Sequence, residues 1–265
     1  MAPMRLAGRF ANLKVRPGTV ACAWLGQAGY LMKASTGLKV IIDPYFSDEV
    51  EKQEGLKRLF PPPITADELH PDVLLVSHGH LDHFDEPTIR TFASAGRTLL
   101  IAPPSCISRA KGLGWPTAKL RSLEPGQSVT KRGVKLMATF ARHTLPDAIG
   151  FLLDIDGLGL WHSGDTEYDQ HLRGLAAANL DVAFICINGG GGNMNAHEAA
   201  LLAWELKPRT VVPMHYGLWA AKDYRYGGAA PGATPDPTVF EATLRKLSSR
   251  IRIETLEVGR TVILG

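Results

Sequence analysis

One run of seven residues constrains this chain more than any other feature of its sequence. Residues 77–83 read Ser-His-Gly-His-Leu-Asp-His, so three histidines and an aspartate lie within six positions. The four residues before the run are apolar and have the composition of a buried strand. Imidazole and carboxylate groups suit Zn and Mn, and a loop after a strand can direct alternate side chains at neighbouring ions. The run predicts a metal-binding loop in which His78 and His80 face one ion and Asp82 and His83 face another.

Further candidate ligands come later in the chain, each preceded by a β-type run and followed by loop residues. They are His143, Asp165 and His215. The loop alone cannot complete two metal sites, because Zn and Mn need more ligands than six residues offer. These three residues supply the missing imidazole and carboxylate groups.

Predicted strands, separated by turn residues, alternate with predicted helices along the chain. The strands are residues 20–24, 30–33, 40–43, 73–77, 98–102, 134–140, 150–155, 158–162, 182–187, 210–213, 251–256 and 261–264. The helices are residues 87–95, 105–111, 196–207 and 237–248. Asn195 and Glu198 form a capping-box pattern at the start of the third helix, and Pro208 ends it. The pattern predicts one domain over residues 1–265, with mixed sheets and outer helices, and a flap-like loop at residues 227–237.

Composition and charge narrow the class of protein. The chain has 265 residues, of which 45% are hydrophobic, and its 29 lysines and arginines only slightly exceed its 26 acidic residues. So small and scattered a basic excess does not predict nucleic-acid binding. A chain of this length buries enough apolar surface to fold without a structural metal, so any metal that it binds is expected to be functional.

The sequence also bears on location and partners. No segment approaches the roughly 20 apolar residues of a membrane span, and the N-terminal sequence lacks the apolar run of a signal peptide. The cysteines are odd in number, and Cys22 and Cys186 lie in apolar runs, which favours reduced, packed thiols. We therefore expect a cytoplasmic protein with a small-molecule substrate, no membrane and no nucleic-acid partner. A homo-oligomer is left open.

The chain resembles the metallo-β-lactamase superfamily and, within it, the L-ascorbate-6-phosphate lactonases. The resemblance covers nearly the whole chain. Besides the loop at residues 77–83, it is carried by Trp-His-Ser-Gly-Asp at residues 161–165 and Pro-Met-His-Tyr-Gly at residues 213–217. It implies an α/β fold, an αβ/βα sandwich of two mixed β-sheets flanked by helices, with the active site along one edge.

The resemblance also implies two sets of metal ligands and a shared carboxylate. The first set is His78, His80 and His143, and the second set is Asp82, His83 and His215. Asp165 would bridge the two ions. Asp43, which follows a predicted strand, would orient a ligand histidine.

Two divalent ions held in this way would supply hydrolytic chemistry. Zn or Mn fits the ligands, and Fe is also compatible with them. The ions would lower the pKa of a shared water towards about 7 and polarise the attacked oxygen. Asp82, Asp165 or a nearby acid would then return a proton to the leaving oxygen.

Departures from relatives refine this interpretation. The lactonases carry extra segments, including one that corresponds to the short stretch 141–149 here, so the substrate pocket need not match theirs. Flavodiiron-type relatives have a glutamate where His80 stands, and true β-lactamases have a cysteine where Asp165 stands. His80 therefore favours a hydrolytic site over an oxygen-reducing one. Asp165 argues against a true β-lactamase.

Other residues have two interpretations each. His162 either lines the pocket or orients a ligand, or it is an ordinary buried residue with neither role. Tyr216 and Trp219 form pocket wall or core, and Arg142 binds an anionic substrate or faces solvent. Residues 189–192 are four glycines that, with Asn193, either receive an anion through backbone N–H groups or form a flexible turn.

The sequence favours a metal-dependent hydrolase that opens a small polar ester, most concretely the lactone of a sugar acid or sugar phosphate. The same ligands support a metal-dependent phosphodiesterase. A non-catalytic metal-binding domain is a third hypothesis, which the complete ligand set disfavours.

Overall fold

Strands that are buried on both faces form the centre of the protein. The computed structural model describes residues 6–219 and 236–265, and these residues form two seven-stranded sheets with helices outside them. The first strand, β1 (Val20–Gly26), is buried along its entire length. Such strands are typical of sheets that are covered on both sides.

The first sheet contains strands from the first half of the chain and the last strand. Its members are β1, β2 (Gly29–Lys33), β3 (Lys39–Ile42), β4 (Val73–Leu75), β5 (Leu99–Ala102), β6 (Leu120–Ser122) and β14 (Thr261–Leu264). Their order is β14-β1-β2-β3-β4-β5-β6. Strands β3 to β6 run parallel, and β14, β1, β2 and β3 pair antiparallel.

The second sheet repeats this organisation. Its members are β7 (Ser128–Lys131), β8 (Val134–Phe140), β9 (Ile149–Ile155), β10 (Leu158–His162), β11 (Val182–Cys186), β12 (Thr210–Met214) and β13 (Arg252–Ile253). Their order is β13-β12-β11-β10-β9-β8-β7. Strands β10 to β13 run parallel, and β7 to β10 pair antiparallel. The predicted α/β fold of two mixed sheets flanked by helices is therefore confirmed.

Side-chain alternation along β1 separates two apolar cores. Val20, Cys22 and Trp24 belong to the core that contains side chains of both sheets. The alternate residues Ala21 and Ala23 belong to a second core with the outer helices. Because successive side chains of a strand point to opposite faces, one strand serves both cores.

Six α-helices and three short 3-10 helices complete the described residues. The α-helices are α1 (Leu6–Asn12), α2 (Glu49–Glu54), α3 (Glu86–Ala95), α4 (Pro104–Gly112), α5 (Ala196–Leu206) and α6 (Pro237–Leu247). The 3-10 helices are Ala66–Glu68, Thr117–Lys119 and Gln170–Ala178. None of the described helices is long and apolar enough to cross a membrane. The cysteines are all buried and free, as expected.

The structure adds elements that the sequence pattern did not predict. They are α1, α2, β6, β7 and the three 3-10 helices. β7 lacks an apolar run because it is an edge strand with half-exposed residues, and α2 buries only Val50. The predicted strand at residues 251–256 is wrong in length, since only Arg252–Ile253 pairs with a neighbour. Most of the predicted loop, residues 227–235, lies outside the described residues.

The start of α5 agrees with its sequence signal. The Asn195 side chain accepts hydrogen bonds from the backbone N–H groups of His197 and Glu198. The Glu198 carboxylate accepts the N–H of Asn195 in return. This reciprocal pair satisfies donors that the first turn of a helix leaves free.

We expect Asn195→Ala to lower the free energy of unfolding by about 1 kcal/mol, because it leaves two N–H groups of α5 without their acceptor. Asn195→Ser, which keeps a capping oxygen, should lose only a fraction of this. Chemical denaturation of the two variants and the wild type measures the difference. An equal loss in both variants would contradict the capping role.

Candidate metal centre

Strand ends deliver the candidate ligands to one edge of the two sheets. Asp43 directly follows β3, and residues 77–83 follow β4, its parallel neighbour. In the second sheet, His143 follows β8, Asp165 follows β10 and His215 directly follows β12. The carboxyl ends of parallel strands meet at the same edge of a sheet, which is where α/β folds place their sites.

The first set converges through ring nitrogens. His78 Nε2 lies 3.0 Å from His80 Nδ1, and His143 Nε2 lies 3.1 Å from the same atom. His78 is fully buried, whereas His80 and His143 are half-buried. Three ring nitrogens at these separations can share one ion, since Zn binds imidazole nitrogen at about 2.0–2.1 Å.

The second set lies deeper. His83 Nε2 and His215 Nε2 are 3.2 Å apart. Asp82 Oδ2 lies 3.2 Å from His215 Nε2 and 3.7 Å from His83 Nε2. Both histidines are buried, and the Asp82 side chain is 13% exposed. Two ring nitrogens and a carboxylate oxygen therefore face one point.

Asp165 lies between the two sets. The contacts of its two carboxylate oxygens show whether a cation fits there. Its Oδ1 is 3.4 Å from His83 Nε2, and its Oδ2 is 3.3 Å from His215 Nε2. Asn193 Nδ2 donates to Oδ2 at 2.7 Å, but Oδ1 is buried and has no hydrogen-bond partner. An unpaired buried carboxylate oxygen is costly. With His78 and His83, Asp165 forms a further group whose ligand atoms all lie within 4.8 Å, so these residues fit a bound cation.

Hydrogen bonds orient the rings of the two sets. Asp43 Oδ2 lies 2.9 Å from His83 Nδ1, and Asp43 also accepts the Ser77 N–H and hydroxyl at 2.7 and 2.6 Å. His143 Nδ1 lies 3.0 Å from the carbonyl oxygen of Gly192. A ring that donates through Nδ1 keeps Nε2 free to bind a metal. The sequence prediction placed Asp43 in this kind of role, and its contacts support that proposal.

Three residues of the site have a left-handed backbone conformation. Gln27, Asp43 and His215 have φ values of 49°, 41° and 62°. Residues other than glycine rarely adopt this left-handed region, and they keep it where surrounding structure enforces a functional geometry. Hydrogen bonds enforce it here, since His215 N donates to the Gln27 carbonyl at 3.0 Å and Asp43 N donates to Leu75.

Charges within the centre oppose the effect of burial. Burial would lower the pKa of His215, but Asp165 and Asp82 raise it to about 9. Burial would raise the pKa of Asp165, but His215 and His83 hold it well below its usual value. His78, with less carboxylate around it, has its pKa lowered by burial and by His83. The second set and Asp165 therefore attract positive charge, either as protons or as a cation.

Two other predicted site residues, His162 and Arg142, have hydrogen-bond or ion-pair partners outside the two sets. His162 is buried, and its Nε2 donates to the Ala28 carbonyl at 2.9 Å while its Nδ1 accepts from Gly164 N at 3.1 Å. Both ring nitrogens are engaged, so His162 holds the turn before Asp165. The Arg142 side chain is 61% exposed and pairs with Glu167 at 3.0 Å, which is the solvent-facing arrangement.

The aromatic residues after His215 are buried. Tyr216 is 8% exposed and its ring packs against Trp24, with centroids 5.0 Å apart. Burial raises the pKa of Tyr216 to about 12. Trp219 packs in a small apolar cluster with Tyr45 and Val50. Both therefore contribute to packing beside the site.

The glycine run positions ligands directly. Gly192 holds His143 through its carbonyl, and Asn193 holds Asp165 and also donates to Asn188 at 3.0 Å. Neither the anion site nor the flexible turn considered from the sequence describes these contacts.

Gln27 is a polar residue at the site that sequence reasoning missed. It is fully buried, and its Nε2 lies 3.2 Å from Asp82 Oδ2 and 3.4 Å from His215 Nδ1. It lies between two apolar strand runs, where a polar residue is usually interpreted as part of a turn. Its contacts with Asp82 and His215, 55 and 188 positions away, distinguish it from a turn residue.

Sequence comparisons place these residues in a family context. Residues 21–215 match the sequence profile of the beta-lactamase superfamily domain. A relative from Anaeromyxobacter sp. (strain K), named UPF0173 metal-dependent hydrolase, is 30% identical over 272 residues, which covers 95% of this chain and 89% of that protein. The similarity to a metal-dependent hydrolase thus extends along nearly the whole chain.

Solved structures share the fold at lower identity. Igni18, a metallo hydrolase from the hyperthermophilic archaeon Ignicoccus hospitalis, has a TM-score of 0.70 at 20% identity, over 93% of this chain and 99% of its own. A diphosphatase from the PhnP family has a TM-score of 0.55 at 15% identity, over 93% and 97% of the two chains. These similarities are in fold.

Gly192→Ala tests the contact between the glycine run and His143. Gly192 has φ +84°, and a Cβ there would lie 2.9 Å from Thr144 Cγ2 and 3.2 Å from His143 Nδ1. We expect metal affinity to fall by about 10-fold or more, as when partners that orient a ligand are lost. Competition with a chelator measures the affinity.

Gly191→Ala is the matched control for this variant. Gly191 also has a positive φ, +65°, but a Cβ there meets nothing within 4 Å. It therefore carries the backbone strain without the collision. Equal metal affinity in the two variants would contradict a specific role for Gly192.

Stability without metal should fall as pH rises. The folded-state pKa of His215 is raised from 6.5 to about 9, so between these values the folded protein holds a proton that the unfolded chain releases. The stabilisation is complete below pH 6.5 and is lost by pH 9, to a limit of about 3 kcal/mol. Denaturation of chelator-treated protein across this range measures it. His215→Gln should show a shallower decline, and a constant or rising stability in the wild type would contradict the raised pKa.

Proposed function

We propose that this chain, which belongs to the β-lactamase superfamily, uses two divalent ions to open a small polar ester, most concretely the lactone of a sugar acid or sugar phosphate. That it is a metal-dependent hydrolase follows from its relatives and from the grouped histidines and aspartates. The number of ions, their identity as Zn or Mn, and the ester are the proposal.

One observation supports the two-ion centre above all. Asp165 contacts the second set through both oxygens, is grouped with His78 of the first set, and has an Oδ1 that no hydrogen-bond donor satisfies. A single ion in either set would leave the other set's nitrogens facing one another. Two ions, with Asp165 between them, give every converging atom a positive partner.

The chemistry that two such ions supply is Lewis acidity, which lowers the pKa of water towards about 7 and polarises the attacked carbonyl oxygen. The residues of the chain hold this centre in place. Asn193 fixes one oxygen of Asp165, and Asp43 and Gly192 orient His83 and His143. No side-chain nucleophile is needed.

We assign proton transfer to Asp82 in preference to Asp165: its carboxylate would take a proton from the attacking water and return it to the leaving oxygen. The Asp82 side chain is 13% exposed, against 5% for Asp165, so it reaches the solvent side of the second set. In a lactone, the leaving oxygen stays attached as the hydroxyl of the opened ring. Full activity of Asp82→Asn with both ions bound would move this role to another group.

A phosphodiesterase is the second candidate. The same ligand sets can polarise a phosphoryl oxygen, and a diphosphatase is among the proteins with this fold. The fold alone does not choose between ester and phosphoester substrates. A non-catalytic domain is disfavoured, because all seven candidate ligands are present and the relatives are hydrolases.

We expect protein loaded with Zn or Mn to hydrolyse sugar lactones, with a loss of at least about 100-fold in Asp165→Asn, because this variant removes a charge shared by both ions. Initial rates on sugar lactones and chromogenic phosphodiesters measure the activity. Asp154→Asn is the matched control, since Asp154 accepts from Gly157 in the β9–β10 turn and lies outside both sets.

The panel separates the candidates. Lactone turnover that depends on Asp165 supports the proposal, and phosphodiester turnover alone favours the second candidate. Inactivity on both substrate classes, by protein carrying two ions, contradicts both.

A further inference from the structure

Gln27 joins the first sheet to a ligand of the second. It lies in the turn between β1 and β2, and its backbone carbonyl accepts from His215 N at 3.0 Å and from Trp24 Nε1 at 2.9 Å. Its side chain is fully buried and contacts Asp82 Oδ2 and His215 Nδ1 through the amide nitrogen. The backbone holds the loop of His215, and the amide contacts the ring.

Two other ring nitrogens of the sets face groups that only accept. His83 Nδ1 faces the Asp43 carboxylate at 2.9 Å, and His143 Nδ1 faces the Gly192 carbonyl at 3.0 Å. These partners place a proton on Nδ1 and leave Nε2 bare for an ion. His215 differs, because its Nδ1 lies 3.4 Å from the amide nitrogen of Gln27, which is a donor.

This contact is incompatible with metal binding by His215 unless the amide turns. Nε2 of His215 faces Asp82, Asp165 and His83, so the ring would bind an ion through Nε2 and carry its proton on Nδ1. Two donors would then face each other. The oxygen of the same amide, Gln27 Oε1, is buried and has no hydrogen-bond partner. A half-turn about the last side-chain bond exchanges the two amide atoms and gives Nδ1 the missing acceptor. It also takes from Asp82 Oδ2 its amide donor, which the charge of a bound ion would replace.

We propose that Gln27 is the positioning residue for the ion of the second set. Its amide oxygen accepts the Nδ1 proton of His215 when this ring binds the ion. This inference rests on the two-ion centre proposed above.

Glutamine suits this position better than other polar residues. A carboxylate here would only accept, and it would lie close to Asp82, where like charges repel without an ion between them. An apolar side chain would leave Asp82 Oδ2 and His215 Nδ1 without this partner. The backbone bonds to His215 and Trp24 do not depend on the side chain, so a substitution at position 27 reports on the amide.

Chelator competition on the Zn-loaded, full-length protein tests the proposal. In Gln27→Met we expect the second ion to bind about 10- to 100-fold more weakly, as for other losses of groups that orient a ligand, with the first ion unchanged. Gln27→Glu keeps an acceptor for Nδ1 and should hold the second ion at least as tightly as the wild type. Gln53→Met is the matched control, since the Gln53 amide bonds to Glu49 on the exposed helix α2.

A spectroscopic measurement tests the ring proton on which the proposal depends. In Zn-loaded protein with 15N-labelled histidine, correlation spectra should show the His215 ring proton on Nδ1, assigned by its absence in His215→Gln. A His215 proton on Nε2 would overturn the proposal.

The binding outcomes separate this inference from the proposed function. Equal affinity for both ions in Gln27→Met and Gln53→Met overturns the role of Gln27. If Gln27→Met does not fold, Gln27→Glu decides, and a 10-fold loss of the second ion in that variant overturns the role equally. A wild-type protein that binds only one ion overturns both this inference and the two-ion centre. Two bound ions without hydrolysis count against the proposed function alone.

Discussion

Hydrogen bonds between the site-bearing edges of the two sheets are the constraint on which the rest of the centre depends. Ile149 N of the second sheet donates to the Ser77 carbonyl after β4, and His215 N donates to the Gln27 carbonyl. His162 adds a side-chain bond to the Ala28 carbonyl. Each ligand set combines residues that follow strands of both sheets, so their distances are correct only if the sheets keep this register.

Close backbone approach at this junction explains the small residues beside it. A Cβ on Gly164 would lie 2.7 Å from the Ile149 carbonyl of its own sheet and 3.0 Å from Ser77 Cβ of the first sheet. Larger side chains would push the edges apart, and the ligands would separate with them. The glycine before Asp165 therefore belongs to the geometry of the centre as much as the aspartate does.

The candidate ligands were predictable because metal chemistry restricts both residue type and position. Histidine and aspartate after apolar strands leave few alternatives, and the structure brings all seven predicted ligands together. The same holds for α5, whose capping residues lie within four positions of one another. In both cases the signal is local in sequence, or of a rare chemical kind.

What escaped prediction depends on contacts between distant segments. Gln27 acquires its meaning only from Asp82 and His215, and β7 becomes a strand only by pairing with β8. The role of Gly192 arises because His143 lies against its carbonyl. A pattern of residue types carries no information about such partners until the fold is known.

The unequal burial of the two sets has a consequence for the rate at which ions come and go. In the proposed two-ion centre, the second set is enclosed by buried His83 and His215, whereas His80 and His143 of the first set are half-buried. An ion in the first set would have two half-buried ligands, whereas an ion in the second would have only one, Asp82, so we expect the second ion to leave more slowly. The protein would therefore exchange its ions one at a time, with one kept as a long-lived resident and the other renewed from solution.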